Sequence, residues 1–194
     1  MVKNNFNSKN YWEDRYKNNG NSGLGSYGYE SEFKSKYINS FIKKNNIKTI
    51  NDFGCGDSNQ ISMIEGFDKY NGFDVSETAI NLCVIKFKDD NRFKFVNNNN
   101  NIMKSDVTFS LDVTYHIVEE SYFDDYMHNL FNLTNKYVLI YSINSDNSDG
   151  FAIHLKNRKF VDWIKKEYPN FQLIENLPFD GKNNGIGFYL FEKI

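Results

Sequence analysis

Proline, alanine, cysteine and arginine are nearly missing from this chain, which has two, two, two and three of them in 194 residues. With Cys55 and Cys83 as the sole cysteines, neither a disulfide framework nor a cysteine-rich metal site can be built, and both read as free thiols of a reducing compartment. No apolar run approaches the roughly 20 residues that a membrane-spanning helix needs. The opening Met-Val-Lys-Asn-Asn-Phe-Asn lacks the apolar core of a signal peptide, so a cytoplasmic protein with no membrane partner is expected. A strong positive field is missing as well: net charge is −2, and nothing in it points to nucleic acid as a partner.

Asparagine, lysine, isoleucine, phenylalanine and tyrosine are abundant instead, as AT-rich codons would make them. The run Asn97 to Asn101 accordingly reads as a polar loop, although it follows a strand that matters below. A hydrophobic content of 40% is enough for one substantial core and one α/β domain.

The segment Thr49-Ile-Asn-Asp-Phe-Gly-Cys-Gly-Asp-Ser58 joins an apolar strand to a glycine turn, and Tyr70-Asn-Gly-Phe-Asp74 is a second strand ending in a carboxylate. Gly54 and Gly56 let the main chain turn sharply and approach a ligand with no Cβ in the way. Asp57 or Ser58 can cap a following helix. Asp74 lies about 20 residues beyond the first glycine, where a carboxylate can accept hydrogen bonds from two ribose hydroxyls. A bare Gly-x-Gly also occurs in turns that hold no ligand, and the dinucleotide fingerprint has a third glycine where this chain has Asn59. Asp52 and Asp74 together make a nucleoside site the more specific reading.

Along the chain, Tyr11 to Tyr16 predicts a short helix and Asn18 to Gly28 a loop. Phe33, Tyr37, Ile38, Phe41 and Ile42 form the stripe of a helix over 31–45. Strands are expected at 49–53, 69–75, 92–96, 107–113 and 136–142. Between them, helices are expected at 58–65, ended by Gly66, from Ser76 with Ala79, Ile80, Cys83, Val84 and Phe87 inward, and around Phe123, Tyr126, Met127, Leu130 and Phe131. A last helix over 157–168 buries Phe160, Val161, Ile164 and Tyr168. Residues 171–179 and 185–194 then form two strands joined by the turn Asp180-Gly-Lys-Asn-Asn184.

The Asp52-x-Gly54-x-Gly56 pattern resembles the Asp/Glu-x-Gly-x-Gly motif of class I S-adenosylmethionine-dependent methyltransferases, with Ser58 in place of their usual third glycine. The resemblance implies a Rossmann-like seven-stranded sheet across residues 31–194, mostly parallel with an antiparallel last strand, order 3-2-1-4-5-7-6, and helices on both faces. It makes residues 1–30, with Tyr11, Trp12 and Ser26-Tyr27-Gly28, a cap or lid. It also implies that Asp52, Gly54, Cys55, Gly56 and Asp57 surround the methionine part of S-adenosyl-L-methionine, that Asp74 takes the ribose, and that Val75 takes one adenine face. Asn97 to Ile102 stands where an adenine contact usually arises, and Asp112 where cofactor and substrate meet. Tyr27 joins the cofactor set from the lid.

Methyl transfer from a sulfonium needs alignment and exclusion of water more than elaborate acid–base machinery. Where a base is needed, His116, four residues beyond Asp112, is the first candidate, and a packed histidine is the alternative. His154, near Lys156 and Arg158, is the second candidate, or else an anion-binding group. His128 reads as structural. Leu111-Asp-Val-Thr-Tyr115 lacks the Asn/Asp-Pro-Pro-Tyr/Phe signature of amino-directed nucleic-acid methyltransferases, and neither Pro169 nor Pro178 adjoins a cysteine as a pyrimidine C5 enzyme requires. Asp112 with Asp146 and Asn147 resembles the Mg²⁺ set of catechol-type O-methyltransferases, but Asp and Asn are common in loops and no metal is expected. Asn59 and the lack of a second domain disfavour a dehydrogenase. The expected activity is methylation of an O or N atom of a small or medium-sized acceptor, with S-adenosyl-L-homocysteine as product. A silent cofactor-binding module that regulates a partner protein is the alternative.

Overall fold

The computed structural model describes residues 6–98, 102–148, 152–179 and 185–194. The expected Asp180–Asn184 turn, Asp149 and the part of the asparagine run from Asn99 to Asn101 lie outside them. Five helices, α1 Ser8–Lys17, α2 Gly28–Asn45, α3 Glu77–Lys86, α4 Glu120–Asn132 and α5 Phe160–Glu167, surround one sheet among the described residues. Its strands are β1 Thr49–Phe53, β2 Lys69–Phe73, β3 Phe93–Val96, β4 Ser105–Leu111, β5 Thr134–Ile143, β6 Phe171–Pro178 and β7 Ile186–Lys193. Their spatial order is β3-β2-β1-β4-β5-β7-β6, with β7 antiparallel to both neighbours and the other pairs parallel. The border expected at residue 30 falls inside α2, which begins two residues earlier than the lid was taken to end.

Period-two alternation distributes the strand side chains between two cores. Tyr137, Leu139 and Tyr141 of β5 join Ile50, Tyr70 and Phe188 on the face covered by Ile38, Phe41 and Ile42 of α2. Val138 and Ile140 join Phe53, Phe73 and Phe191 under α4 and α5. All five apolar residues expected on α4 are buried. On α3, Ala79, Ile80 and Cys83 are buried, but Val84, expected inward, is 49% exposed, because the helix presents a narrower face than its composition suggests.

The helix expected from Ser58 to Glu65 is replaced by a single 3₁₀ turn, Ile61–Met63. The would-be caps are committed elsewhere. Ser58 has φ +56° and its hydroxyl lies 3.0 Å from Cys83 Sγ, while Asp57 binds the N-terminal loop. Asn39 of α2 then grips the segment by both ends of its amide, donating to Met63 O at 3.1 Å and accepting from Glu65 N–H at 3.0 Å. Tertiary hydrogen bonds thus take the groups with which a short helix would have started.

Candidate active site

The turn after β1 is held against β2 by main-chain bonds: the N–H groups of Gly54 and Cys55 donate to Phe73 O at 2.7 and 2.9 Å. At Gly54, φ is +84°, and a Cβ there would lie 2.4 Å from Val113 Cγ2. At Gly56, φ is +55°, and a Cβ would lie 2.2 Å from Ser22 Oγ. Both positions therefore require glycine, for backbone conformation and for space.

Asp74 caps this turn from the end of β2. Its carboxylate accepts from Gly56 N–H and Ser76 N–H, each at 2.9 Å, and no ion pair among the described residues involves it. Burial pushes its carboxyl up to about 6, against the pull of those two amide donors. Asp52, in contrast, points to the α2 face, where Oδ2 accepts from the Tyr70 hydroxyl at 2.7 Å and burial pushes its carboxyl up to about 7.

A cavity of about 220 Å³ opens over the carboxyl ends of β1, β2 and β4. Phe53, Gly54, Gly56, Phe73, Asp74 and Val75 form one wall, with Asn97 and Asn98 beside them. Leu111, Asp112, Val113, His116 and Ile117 form the opposite wall. Tyr122, Asp125, Tyr126 and Asn129 of α4 close the back, and Ser8, Trp12, Tyr16, Ser22 and Ser26 of the N-terminal segment cover the mouth. Of the residues singled out in the sequence, Gly54, Gly56, Asp74, Val75, Asp112 and His116 thus meet at one cavity. Asp52, Cys55, Asp57, Tyr27 and His154 are not in its lining.

Those five have other contacts. Cys55 is buried, with its sulfur toward Gly72. Asp57 accepts from Ser22 N–H at 3.0 Å, Asn59 N–H at 3.1 Å and the Tyr27 hydroxyl at 2.8 Å, so Asp57 and Tyr27 tie the N-terminal loop to the glycine turn. Burial, followed by Asp57, pushes the Tyr27 hydroxyl up to about 12. His154 stacks on Tyr11, with centroids 4.7 Å apart, and faces His116 at 5.8 Å. The cations near it in sequence, Lys156 and Arg158, both bind Glu120, which removes the anion-binding arrangement suggested by their spacing. His128 lies on α4 with Nδ1 2.9 Å from the Tyr168 hydroxyl.

His116 stands edge-on to Trp12, centroids 4.9 Å apart, and its Nδ1 is buried without a hydrogen-bond partner. Burial drops the ring to about 4, so it is neutral at pH 7 and keeps a lone pair. Asp112, at φ +62°, accepts from Lys34 Nζ and, at 2.7 Å, from the Tyr115 hydroxyl. Asp146 is paired with Lys159 at 3.1 Å, and no group of three metal-ligating side chains occurs among the described residues.

Several lining residues were not visible as site residues in the sequence. Tyr122, Asp125, Tyr126 and Asn129 follow i, i+3, i+4, i+7 spacing, so a polar stripe beside the apolar face of α4 was the available signal. Ser8, Tyr16 and Ser22 carried none, because long-range folding brings them there. The N-terminal segment is pinned at several points. Glu13 accepts from the Ser76 hydroxyl at 2.6 Å and the Thr78 hydroxyl at 2.8 Å, and these bonds, the Ser76 one foremost, hold its carboxyl down to about 2. Ser26 O accepts from Asn59 Nδ2 at 2.7 Å, and Ser22 Oγ from Asp57 N–H at 3.0 Å.

No protein-family model and no curated protein sequence matches this chain. Solved structures do. The N-methyltransferase NodS from Bradyrhizobium japonicum, in complex with S-adenosyl-L-homocysteine, superposes with a TM-score of 0.76 at 13% identity, covering 97% of this chain and 99% of its own. Magnesium protoporphyrin IX methyltransferase from Synechocystis, with bound S-adenosylmethionine, gives 0.70 at 14% identity over 100% of both chains. An S-adenosylmethionine-dependent methyltransferase from Clostridium acetobutylicum gives 0.67 at 15% identity over 96% of this chain and 99% of its own. With the strand order, these likenesses establish the class I S-adenosylmethionine-dependent methyltransferase fold. Among the described residues, no helix is long and apolar enough to cross a membrane.

Proposed function

We propose that this protein binds S-adenosyl-L-methionine and transfers its methyl group to an oxygen or nitrogen of a small or medium-sized acceptor, releasing S-adenosyl-L-homocysteine. The observation that carries this reading is the cavity wall made of the bare glycine turn and Asp74, a carboxylate anchored by two amides and free of any cation partner among the described residues. Such a carboxylate offers lone pairs to the ribose hydroxyls, and the turn admits the methionine part without a Cβ in its way. Val75, Asn97 and Asn98 line the same cavity, and in this reading Val75 and one of the asparagines take the adenine. Asp57 and Tyr27 act indirectly in this reading, by holding residues 20–27 over the turn.

The bound cofactor supplies an activated methyl on a sulfonium. Held by the Gly54–Gly56 turn, Asp74 and Val75, it would give that methyl to the acceptor's lone pair and keep the carbon–sulfur electron pair as a thioether, with the acceptor's proton passing to solvent. His116, neutral and facing the cavity, orients the acceptor O–H or N–H by accepting its hydrogen bond. A ring pushed down to about 4 is a weak base, so orientation is its larger contribution. The described segment ahead of α2, which brings Ser8, Trp12, Tyr16, Ser22 and Ser26 to the cavity, serves as a lid that excludes water. The similar folds of the Synechocystis enzyme, solved with S-adenosylmethionine, and of NodS, solved with S-adenosylhomocysteine, support the assignment.

Calorimetric titration with S-adenosylmethionine and S-adenosylhomocysteine tests the binding half. Asp74→Ala removes a charge-assisted contact and should weaken affinity about tenfold to a hundredfold at preserved fold. Wild type that binds neither ligand would refute the assignment. Release of S-adenosylhomocysteine in the presence of candidate acceptors separates an enzyme from a silent binding module.

A further inference from the structure

We propose that Lys34 is a positioning residue of the methyl-transfer site, cancelling the charge of Asp112 at the cavity wall so that the cationic donor is not held by a bare carboxylate. The inference rests on the cofactor reading above and concerns a residue that no sequence motif marks.

Lys34 is fully buried in the middle of α2, among positions that otherwise supply Ile38 and Phe41 to the core. A buried ammonium is costly unless paired, and an aliphatic residue there would pack without that cost. Its Nζ donates to Asp112 Oδ2 across 78 residues of sequence and lies 5.0 Å from the centroid of the Tyr141 ring. The other carboxylate oxygen is taken by the Tyr115 hydroxyl at 2.7 Å. Gly25 closes over the pair: a Cβ there would lie 2.6 Å from Asp112 Oδ2. Glu30 acts on both partners, its carboxyl pushed up first by burial and then by Asp112, and Asp52 acts on Lys34, its own carboxyl pushed up by burial. Lys34 therefore offsets the charge of the carboxylate that lines the acceptor-side wall.

The sulfonium carries a full positive charge that spreads toward the acceptor in the transition state and is absent from the thioether product. An unpaired carboxylate at this wall would hold the ground state more tightly than the transition state and so raise the barrier. Pairing it with Lys34 removes that bias and leaves Asp112 fixed at φ +62° as part of the wall.

The charge balance is measurable without an acceptor, because donor and product differ by one positive charge at sulfur. Titration of wild type, Lys34→Met, Lys34→Arg, Asp112→Asn and the Lys34→Met/Asp112→Asn double variant gives the affinity ratio of S-adenosylmethionine to S-adenosylhomocysteine. Lys34→Met should shift the ratio toward the donor by about tenfold at low salt, Lys34→Arg should preserve it, and the double variant should restore it. A folded Lys34→Met with a ratio within about twofold of wild type overturns the proposal. If Lys34→Met does not fold, Asp112→Asn carries the test with opposite sign, and an unchanged ratio there overturns it equally. Binding of neither ligand to wild type would instead overturn the cofactor reading.

Discussion

Asp74 and Asp112 stand at the carboxyl ends of the two strands that flank β1, face the same cavity, and have opposite electrostatic settings. Asp74 is held by the N–H groups of Gly56 and Ser76 and meets no cation among the described residues. Asp112 is paired with the buried ammonium of Lys34 and the hydroxyl of Tyr115. Local chemistry explains the first: a carboxylate at a strand end beside a glycine turn and a helix N-terminus is supplied with amides. The second depends on a helix that begins 84 residues earlier in the chain than Asp112, as the start of α2 at Gly28 shows. One carboxylate at the cavity is thus held by backbone amides and the other by a buried ammonium and a hydroxyl.

The largest expected effect comes from breaking the seam between the two walls. Gly54→Ala would place a Cβ in a left-handed conformation against Val113, and we expect a loss of about 2–5 kcal/mol in stability, read from the urea midpoint. An unchanged midpoint would mean that Val113 gives way and that the walls are less tightly apposed than the 2.4 Å approach implies.

A smaller effect should appear on the acceptor side as pH changes. The His116 ring titrates near 6.5 when unfolded and about 4 when folded. Between those values the unfolded chain binds a proton that the folded protein refuses, so this contribution is complete above pH 6.5 and lost as pH falls toward 4. Its size is at most about 3 kcal/mol. Asp52 and Asp74, raised to about 7 and about 6, slope the other way, because the folded state holds their protons more tightly and their contribution falls as pH rises through that window. The difference between wild type and His116→Asn isolates the histidine. The variant should lose about 2–3 kcal/mol less than wild type between pH 7 and 4.5 in denaturant titrations, and parallel curves would contradict a buried neutral ring.

The smallest effect belongs to the latch on the nucleoside side. Ser22→Ala removes the acceptor for Asp57 N–H and the partner of the Tyr16 hydroxyl while keeping Ser22 N–H on Asp57. A cost of about 0.5–1.5 kcal/mol is expected, with faster amide exchange across residues 20–28 and slower exchange again when cofactor is added. Exchange indifferent to both the substitution and the cofactor would remove the lid from the functional account.

Much of the frame was legible because it is written in short-range pattern. The strand expected over 136–142 lies within β5, and the stripe through Phe123 and Phe131 marked α4. The glycine turn with Asp74 identified the wall that needs backbone more than side chains. Asp52 was legible as part of a motif but not in its role: alternation along β1 places it on the α2 face, where Tyr70 receives it. The missing helix after the turn was illegible because Ser58 and Asp57 spend their capping groups on Cys83 and Ser22.

By itself the sequence determined the sheet, its order through the resemblance it carries, and the glycine–carboxylate wall, since these follow from residue type and from spacings of two, four and about 20 residues. Tertiary structure alone decided the closing of the cavity by Tyr16 and Ser22, the absence of Tyr27 and His154 from its lining, and the pairing of Asp112 with Lys34. Those outcomes depend on hydrogen bonds and ion pairs between segments far apart in the chain. No local periodicity encodes such a contact, and a buried charge finds its partner only when the fold brings the two together.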